Sequence, residues 1–402
     1  MMKKAQFPPQ YEKIVEILHP TRAYLVGGAV RDLLLDRPIH DLDFALPQDT
    51  IGVAKGVADQ MGGGFYILDP DRQACRVILI DEEGQRLVVD FTLFQGDTIE
   101  EDLAARDFTI TSMALDIHED TRIIDLFHGA QDIKDGLIRA TSEKSLEDDP
   151  LRCLRAVRLA AQLGFQILPE TKEQIRRYQN LLDKVSPERK RDEFFRLLEG
   201  PNQSAGIHSL QILGLYPYLL PGELSRRGLR AVKNLENLWS LFLMEHDQER
   251  AASWSKGLLI HRLGRYRGEV RELLSQELVP GRSLYQLSFT LPLLSGFPRE
   301  EASLIFSQFT DQVPLSNQEA AFVEKGLEAV ENWLDLSLEN GQGGPVDVFR
   351  FFNQFNGAGV AAIFLTLGEF LDDMSGEDSG QERWIKNLDQ ARYFLEGFWE
   401  RR

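Results

Sequence analysis

The stretch that decides the fold runs from Val26 to Leu46 and reads VGGAVRDLLLDRPIHDLDFAL. A short apolar run ends in Gly27 and Gly28, the segment AVRDLLL that follows has helical character, and a D-x-D motif comes next. Glycines at a strand-to-helix turn let the backbone approach a phosphate, and the first N–H groups of the helix can donate to it. This order of elements predicts a site for a phosphorylated ligand.

The D-x-D motif consists of Asp41 and Asp43 in the strand-like run HDLDFAL. Residues two apart on a strand point to the same face, so the two carboxylates are expected side by side. Mg²⁺ prefers oxygen ligands and leaves room for substrate phosphates. Two such ions, about 4 Å apart, activate an attacking hydroxyl and stabilise a leaving pyrophosphate. We predict Mg²⁺ at Asp41 and Asp43, with Asp90 of the run VVDFT as a candidate third ligand.

Composition limits the classes of partner. The 402 residues carry a net charge of −18, and residues 301–402 hold 18 acidic and 7 basic residues, which is −11 of that total. A generic nucleic-acid binder is usually basic, so a polyanion is expected to bind elsewhere, near the arginine-rich segment 151–196. The N-terminus has no secretory pattern, and no apolar run reaches the ~18 residues of a membrane span. We predict a cytoplasmic protein with no membrane partner.

The pattern of elements predicts an α+β fold. Short β-branched and aromatic runs bounded by Gly, Pro or Asp fill the first ~140 residues, and helical patterns dominate from about Ser145. The apolar segment AGVAAIFLTLG, which begins at Ala358, is predicted to be a buried helix. We predict a mixed-sheet head over residues 1–140, a helical neck over 141–200, and a helical body and tail over 201–402.

Five ordered motifs resemble those of class II members of the polymerase-β nucleotidyltransferase superfamily, which contains the bacterial tRNA CCA-end nucleotidyltransferases and poly(A) polymerases. They span about Tyr24 to Leu198. The motifs are LVGGAVRDLLL with HDLDFAL, EEDLAARDFTITSMALD, DLFHGAQDIKDGLIRA, DDPLRCLRAVRLAAQLGF and VSPERKRDEFFRLL. The resemblance implies that the helical body and tail over 201–402 bind RNA.

The resemblance implies a role for each site residue. The first motif places the catalytic metals on Asp41 and Asp43 and the triphosphate at the glycine turn. The family's arginine–aspartate pair behind that turn corresponds to Arg31 and Asp32. The remaining candidates for nucleotide binding are Arg106 and Asp107 from the second motif, and Asp149, Arg152, Arg155 and Arg158 from the fourth.

The fourth motif suggests how a base is chosen. A carboxylate accepts from an exocyclic amine and a guanidinium donates to ring or carbonyl acceptors. Cytosine and adenine both carry an amine beside a ring nitrogen, whereas guanine and uracil present the reverse pattern. Asp149 and Arg152 are therefore expected to select CTP or ATP. The second motif departs from the family at Ala105 and Thr111, where arginine and asparagine are usual.

The resemblance implies nucleotidyl transfer to the tRNA acceptor end, and one feature refines it. Full CCA-adding relatives carry a flexible segment before the second motif, but only nine residues separate Asp90 from Glu100 here. That brevity resembles CC-adding enzymes, which leave the terminal adenosine to a separate A-adding enzyme acting in sequence. A complete CCA-adding enzyme, an A-adding enzyme, a poly(A) polymerase and a catalytically weakened RNA-binding relative are the alternatives.

Overall fold

The computed structural model describes residues 7–81, 84–119, 122–243, 254–297, 301–338, 343–373 and 378–400. The chain forms two compact units, Met1–Tyr178 and Gln179–Arg402. The border between these units falls inside the segment predicted as the neck, so the domain limits at 140 and 200 remain predictions.

A seven-stranded mixed sheet forms the centre of the first unit. Its strands are β1 (Tyr24–Val26), β2 (Asp41–Leu46), β3 (Gly64–Asp69), β4 (Ala74–Ile80), β5 (Arg86–Leu93), β6 (Met113–Asp116) and β7 (Ile123–Asp125). The strand order is β3-β4-β5-β2-β1-β6-β7. Only β2 and β5 pair in parallel, and all other neighbours are antiparallel. The predicted mixed sheet and α+β class are confirmed.

In the part of the first unit that the structure describes, eight α-helices surround this sheet or follow it. They are α1 (Tyr11–Leu18), α2 (Gly28–Leu34), α3 (Thr50–Met61), α4 (Ile99–Ala105), α5 (Gly129–Asp135), α6 (Ser145–Asp148), α7 (Arg152–Leu163) and α8 (Pro169–Tyr178). A short parallel pair joins β8 (Leu137–Ile138) to β9 (Gln166–Ile167).

The two faces of the sheet differ in burial. On β2, β4 and β5, alternate residues such as Phe44, Cys75, Val77 and Phe91 are fully buried. Helix α3 packs against β3, β4 and β5, and the rings of Phe44 and Phe91 stack in this core. On these three strands, the alternation turns Asp43, Arg76 and Asp90 to the opposite face, which we call the open face, although its β1 and β6 end is covered by a second buried cluster that includes Ala45 and Leu103. The open face carries Asp41 and Asp43.

In its described residues, the second unit is helical apart from one short antiparallel pair, β10 (Glu277–Val279) and β11 (Arg282–Ser283). Its helices are α9 (Pro187–Glu199), α10 (Gln203–Ile212), α11 (Arg226–Leu243), α12 (Trp254–Leu263), α13 (Arg267–Ser275), α14 (Leu284–Ser288), α15 (Thr290–Leu294), α16 (Ala302–Gln312), α17 (Asn317–Leu338), α18 (Pro345–Asp373) and α19 (Asp378–Trp399).

Aromatic side chains form much of this helical core. Trp239, Trp333 and Trp384 are fully buried, and Trp239 packs on Phe364 of α18. The segment AGVAAIFLTLG lies within α18 and is buried, as its pattern predicted. In the ranges that the structure describes, no helix combines the length and the apolar character needed to cross a bilayer.

Candidate active site

The carboxylates of Asp41 and Asp43 project from β2. Leu42 and Phe44 are buried, while Asp41 is exposed and Asp43 half-buried. Because strand side chains alternate, Asp41 and Asp43 share the open face. The strand geometry agrees with the prediction, made from the D-x-D spacing, that the two carboxylates lie on the same face.

Asp90 lies next to Asp43 and is already paired with an arginine side chain. The parallel register of β2 and β5 places Asp90 directly opposite Asp43. Both Oδ atoms of Asp90 accept hydrogen bonds from Arg76 on β4, one from Nε and one from Nη2, each at 2.8 Å. Within the described ranges, no group of three or more His, Cys, Asp or Glu side chains is arranged to hold a metal. A metal-binding role for Asp90 remains a prediction.

The charge balance around Asp43 fits a cation. Burial, the charge of Asp90 and the charge of Asp41 raise the pKa of Asp43 to about 6, although Arg106 and Arg155 act in the opposite direction. A carboxylate pair with this excess of negative charge offers the hard oxygen donors that Mg²⁺ prefers. The residues present therefore suit Mg²⁺ held by Asp41 and Asp43.

The glycine turn packs closely against this carboxylate. Gly27 has φ +69° and ψ −132°, a backbone conformation that L side chains rarely adopt. A Cβ at Gly27 would lie 3.3 Å from Nη1 of Arg106 and 3.4 Å from Oδ2 of Asp43. The positive φ favours glycine here, and a Cβ would fit only tightly against the two side chains. The turn, Arg106 and Asp43 consequently form one group around the start of α2.

Arg31 and Asp32 form a side-chain pair behind the turn. Arg31 donates to both Oδ atoms of Asp32, at 2.9 and 2.8 Å. A Cβ at Gly28 would lie 3.5 Å from Nη2 of Arg31. The predicted adjacency of the arginine–aspartate pair to the turn is present. A contact of either residue with nucleotide remains a prediction.

Arg106 is oriented by Asp102, which the sequence analysis did not single out. Asp102 is buried, and its Oδ2 accepts from Nε and Nη2 of Arg106, both at 2.9 Å. Its Oδ1 accepts from the backbone N–H of Gln95 at 3.0 Å. These bonds leave Nη1 of Arg106 directed at the glycine turn. The four-residue spacing between Asp102 on α4 and Arg106, which directly follows this helix, was the available signal, because side chains at i and i+4 approach each other at a helix.

Asp107 is buried within the unit, with 7% of its surface exposed. Its Oδ1 accepts from the Phe108 N–H at 2.9 Å and from Thr111 Oγ1 at 2.6 Å. Its Oδ2 lies 2.7 Å from Nε of Arg155. Burial raises the pKa of Asp107, but the Arg155 charge and these hydrogen bonds outweigh it, so the pKa is lowered overall. The structure thus gives Asp107 partners within the protein, and its predicted contact with nucleotide stays untested.

The third motif supports the turn that carries Thr111. Asp132 is buried and accepts from Thr109 Oγ1 at 2.6 Å and from Nε of Arg139 at 2.9 Å. A Cβ at Gly129 would lie 2.1 Å from the Thr109 carbonyl oxygen, so α5 can approach this closely only with glycine. The motif holds the Thr109–Thr111 turn, and through it Asp107, in place.

The fourth motif begins α7, and its arginines have different surroundings. Arg152 is half-buried and donates from Nη1 to Ser145 Oγ at 2.9 Å and from Nη2 to the Ala105 carbonyl at 2.9 Å. The Asp149 carboxylate accepts from the Leu151 N–H at 3.2 Å. Arg158 is 8% exposed and donates to Gln162 on its own helix. The structure thus gives the three arginines of α7 different hydrogen-bond or ion-pair partners, and their contact with nucleotide remains a prediction.

Models of known families match two segments of the chain. Residues 23–139 match the poly A polymerase head domain, and residues 164–224 match the probable RNA and SrmB-binding site of polymerase A. The first match contains the glycine turn and Asp41, Asp43 and Asp90. The second match contains β9 and helices α8 to α10 with their connections. The matched class is that of nucleotidyltransferases with a polymerase head.

Individual relatives agree with this class. A CC-adding tRNA nucleotidyltransferase of Geobacter sulfurreducens is 37% identical over 234 residues, which is 57% of this chain and 54% of that relative, so the match spans about half of the relative's length. A CCA-adding enzyme of Streptococcus pneumoniae is 32% identical over 299 residues, which is 68% of this chain and 73% of that enzyme. The chain therefore belongs to the class II tRNA nucleotidyltransferase and poly(A) polymerase head family.

A solved structure supports the fold over nearly the whole chain. A tRNA nucleotidyltransferase complexed with a primer tRNA and an incoming ATP analogue has a TM-score of 0.66. It is 20% identical, and the match covers 95% of this chain and 99% of that one. The resemblance drawn from the five sequence motifs is confirmed at the level of family and fold.

Proposed function

We propose that the chain transfers nucleotides from CTP, ATP or both to the 3′ end of tRNA without a nucleic-acid template, releasing pyrophosphate. The observation that carries the proposal is the placement of Asp41 and Asp43 on one open strand face beside the Gly27 turn. Membership of a family whose relatives are named CC-adding and CCA-adding enzymes supports the substrate class.

Each group of site residues would have a separate role in the reaction. Asp41 and Asp43 would hold Mg²⁺, which supplies activation of the attacking 3′-hydroxyl and charge stabilisation on the leaving pyrophosphate, by the two-metal mechanism. The turn at Gly27 lets the triphosphate approach the backbone closely. Arg106, fixed by Asp102, would place its Nη1 against the phosphates and offset their charge as the bond to the leaving group breaks.

Base selection would fall to Asp149 and Arg152. Arg152 is held by the Ser145 side chain and the Ala105 carbonyl, so its guanidinium has a defined orientation. A fixed guanidinium beside a carboxylate can match the amine and ring nitrogen shared by cytosine and adenine. Conversion of Arg152 to alanine should reduce discrimination against GTP and UTP, measured as the ratio of kcat/KM values for CTP and UTP.

The connection before α4 favours the CC-adding variant. Only residues 94–98 join β5 to α4. The backbone N–H groups of residues 94, 95 and 97 donate to the Leu46 carbonyl and to the Asp102 and Glu101 side chains. A connection that is short and bonded at three positions differs from the flexible segment of full CCA-adding relatives, which supports the CC-adding variant. We infer that the chain adds CC and that a separate A-adding enzyme completes the end.

The test is incorporation of labelled CTP and ATP, separately and together, into tRNA ending at the discriminator base, at C or at CC. Two cytidines without adenosine would support CC addition. A full CCA end would contradict that refinement, and adenosine on CC ends alone would assign the A-adding activity. Long adenosine tracts on other RNAs would indicate a poly(A) polymerase.

A double variant tests the assignment of Mg²⁺ to Asp41 and Asp43. Asp41→Ala combined with Asp43→Ala should abolish incorporation, while Asp59→Ala on the exposed side of α3 should leave it unchanged. Incorporation by the double variant would overturn the assignment. RNA binding by a wild-type chain that incorporates no nucleotide would instead favour the catalytically weakened RNA-binding relative.

A further inference from the structure

Four residues form a continuous row across the open face. In the register of the sheet, Asp43 on β2 lies opposite Asp90 on β5, Asp90 opposite Arg76 on β4, and Arg76 opposite Tyr66 on β3. Register partners point to the same face, so the row leads from the catalytic carboxylate to the edge strand. The ion pair between Arg76 and Asp90 follows this register.

Tyr66 ends the row as an accessible aromatic surface. Tyr66 is 53% exposed although it lies in the middle of β3. A Cβ at Gly64 would lie 3.2 Å from Cε2 and 3.3 Å from the hydroxyl of Tyr66. The ring therefore extends over the glycine two residues earlier and lies along the strand. A side chain in place of Gly64 would occupy the space that the ring uses.

Arg76 adds a fixed cation next to this ring. Its Nε and Nη2 bond Asp90, and Nη1 takes no part in that pair. The hydrogen bond to Asp90 raises the pKa of Arg76, as do the charges of Asp90, Asp41 and Asp43, while desolvation opposes them. Arg76 therefore stays charged beside the carboxylates and presents a guanidinium whose orientation is set by Asp90.

We propose that Tyr66 and Arg76 form a subsite for the unpaired nucleotides immediately upstream of the reacting 3′ end, with a base stacked on Tyr66 and a backbone phosphate at Arg76. The inference rests on the proposed function. Three strand spacings separate Tyr66 from Asp43, a span of about 14 Å between backbones. That span passes beyond the 3′-terminal nucleotide and reaches the nucleotides before it.

The combination of groups favours RNA over a protein partner. Stacking on an aromatic side chain accepts any base, and an adjacent cation binds the phosphate, which together suit a single strand of variable sequence. The row also ends at the carboxylates where the 3′-hydroxyl must arrive, so a strand that follows it is delivered to the reaction. Binding of a protein partner would not require contacts along the row that ends at the catalytic carboxylates.

The first test compares Tyr66→Ala with Tyr66→Phe and with Ile67→Ala. Ile67 is 47% exposed on the same strand but points to the opposite face, so it is a matched control. Tyr66→Ala should raise the KM for tRNA at least roughly fivefold, the lower end of the effect of one stacked base. The KM for CTP should not change. Tyr66→Phe, which keeps the ring, and Ile67→Ala should resemble the wild type.

A binding measurement separates this inference from catalysis. A tRNA 3′-end oligonucleotide with 2-aminopurine upstream of its terminal nucleotide should be quenched by wild type and by Ile67→Ala, but not by Tyr66→Ala. Arg76→Gln should lower the dependence of log KM for tRNA on log salt by about 0.7, the value for one phosphate contact on a single strand. An unchanged salt slope would remove Arg76 from the subsite.

The outcomes distinguish the two proposals. Incorporation by the wild type together with equal tRNA KM values for Tyr66→Ala and Ile67→Ala would overturn the subsite and leave the proposed function intact. A wild-type chain that incorporates no nucleotide would overturn the proposed function. A change of oligomeric state in Tyr66→Ala, with RNA binding unaffected, would identify β3 as a protein interface and overturn the subsite.

Discussion

Asp43 on β2 and Asp90 on β5 are register partners on neighbouring parallel strands, so two carboxylates face the same side of the sheet without an intervening residue. Burial and this neighbour raise the pKa of Asp43 to about 6. The protein accommodates that unfavourable arrangement because Arg76 holds Asp90 and Arg106 lies beside Asp43. The remaining charge on Asp41 and Asp43 is what a divalent cation would neutralise, and the first prediction follows from it.

Replacing Asp43 by asparagine should stabilise the metal-free protein. The raised pKa corresponds to a cost on the order of 3 kcal/mol for keeping this carboxylate charged at neutral pH, and the substitution removes that charge. Thermal unfolding in a chelating buffer should show a higher Tm for Asp43→Asn than for wild type. Adding Mg²⁺ should raise the Tm of wild type and of the exposed control Asp59→Asn, but not that of Asp43→Asn. An equal Mg²⁺ response in all three proteins would contradict the assignment.

The conformation of Gly27 predicts a strong effect of a single methyl group. Gly27→Ala forces a positive φ on alanine and places Cβ against Arg106 and Asp43, which should cost about 1–3 kcal/mol of stability and most of the activity. Gly56→Ala is the matched control, because it lies inside α3 with no atom within 4 Å of the added Cβ. That change should keep or raise stability by up to about 1 kcal/mol. Chemical denaturation measures the stability of both variants, and nucleotide incorporation measures their activity.

The ion pair between Asp107 and Arg155 predicts a pH-dependent defect. The pKa of Asp107 is lowered in the folded protein, so its charged form adds stability above the unfolded pKa, and this is lost as pH falls through the folded pKa. Arg155→Met removes the cation and should cost about 1–2 kcal/mol at pH 7, since the Arg155 side chain is 42% exposed and its contribution is partly screened.

The defect of Arg155→Met should shrink when the pH is lowered towards 4, because the unpaired Asp107 then becomes protonated. Unfolding curves for wild type and variant at pH 7 and pH 4 measure the difference. The exposed residue Arg37 provides the control variant Arg37→Met, which should show no such difference. A defect of equal size at both pH values would rule out Asp107 as the group responsible.

Asp102 is expected to act as a positioning residue for Arg106. Asp102→Asn keeps an oxygen that can accept from the Gln95 N–H but removes the charge that fixes the guanidinium. Loss of a hydrogen bond to a charged group corresponds to roughly a tenfold fall in kcat/KM for the nucleotide. The KM for tRNA should stay near the wild-type value. If both KM values rise together, the variant has altered the head as a whole, and thermal unfolding will show it.

The sequence alone determined the properties that depend on local spacing. Two aspartates two residues apart on a strand share a face, and the apolar residues Leu151, Leu154, Val157 and Ala161 of the fourth motif are all buried, as their helical period predicts. The ordered motifs also specified the family and the α+β class. Each of these conclusions uses residues that are close in the chain.

Only the tertiary structure decided which cations face which carboxylates. Arg76 and Asp90 are fourteen residues apart, and Asp107 meets Arg155 from another element, so no local period links them. The same limit applies to the arginines of α7, where Arg158 is buried and donates to Gln162 while Arg155 meets Asp107. Strand register and helix packing bring these charges together, and both are set by burial of the whole core rather than by neighbouring residues.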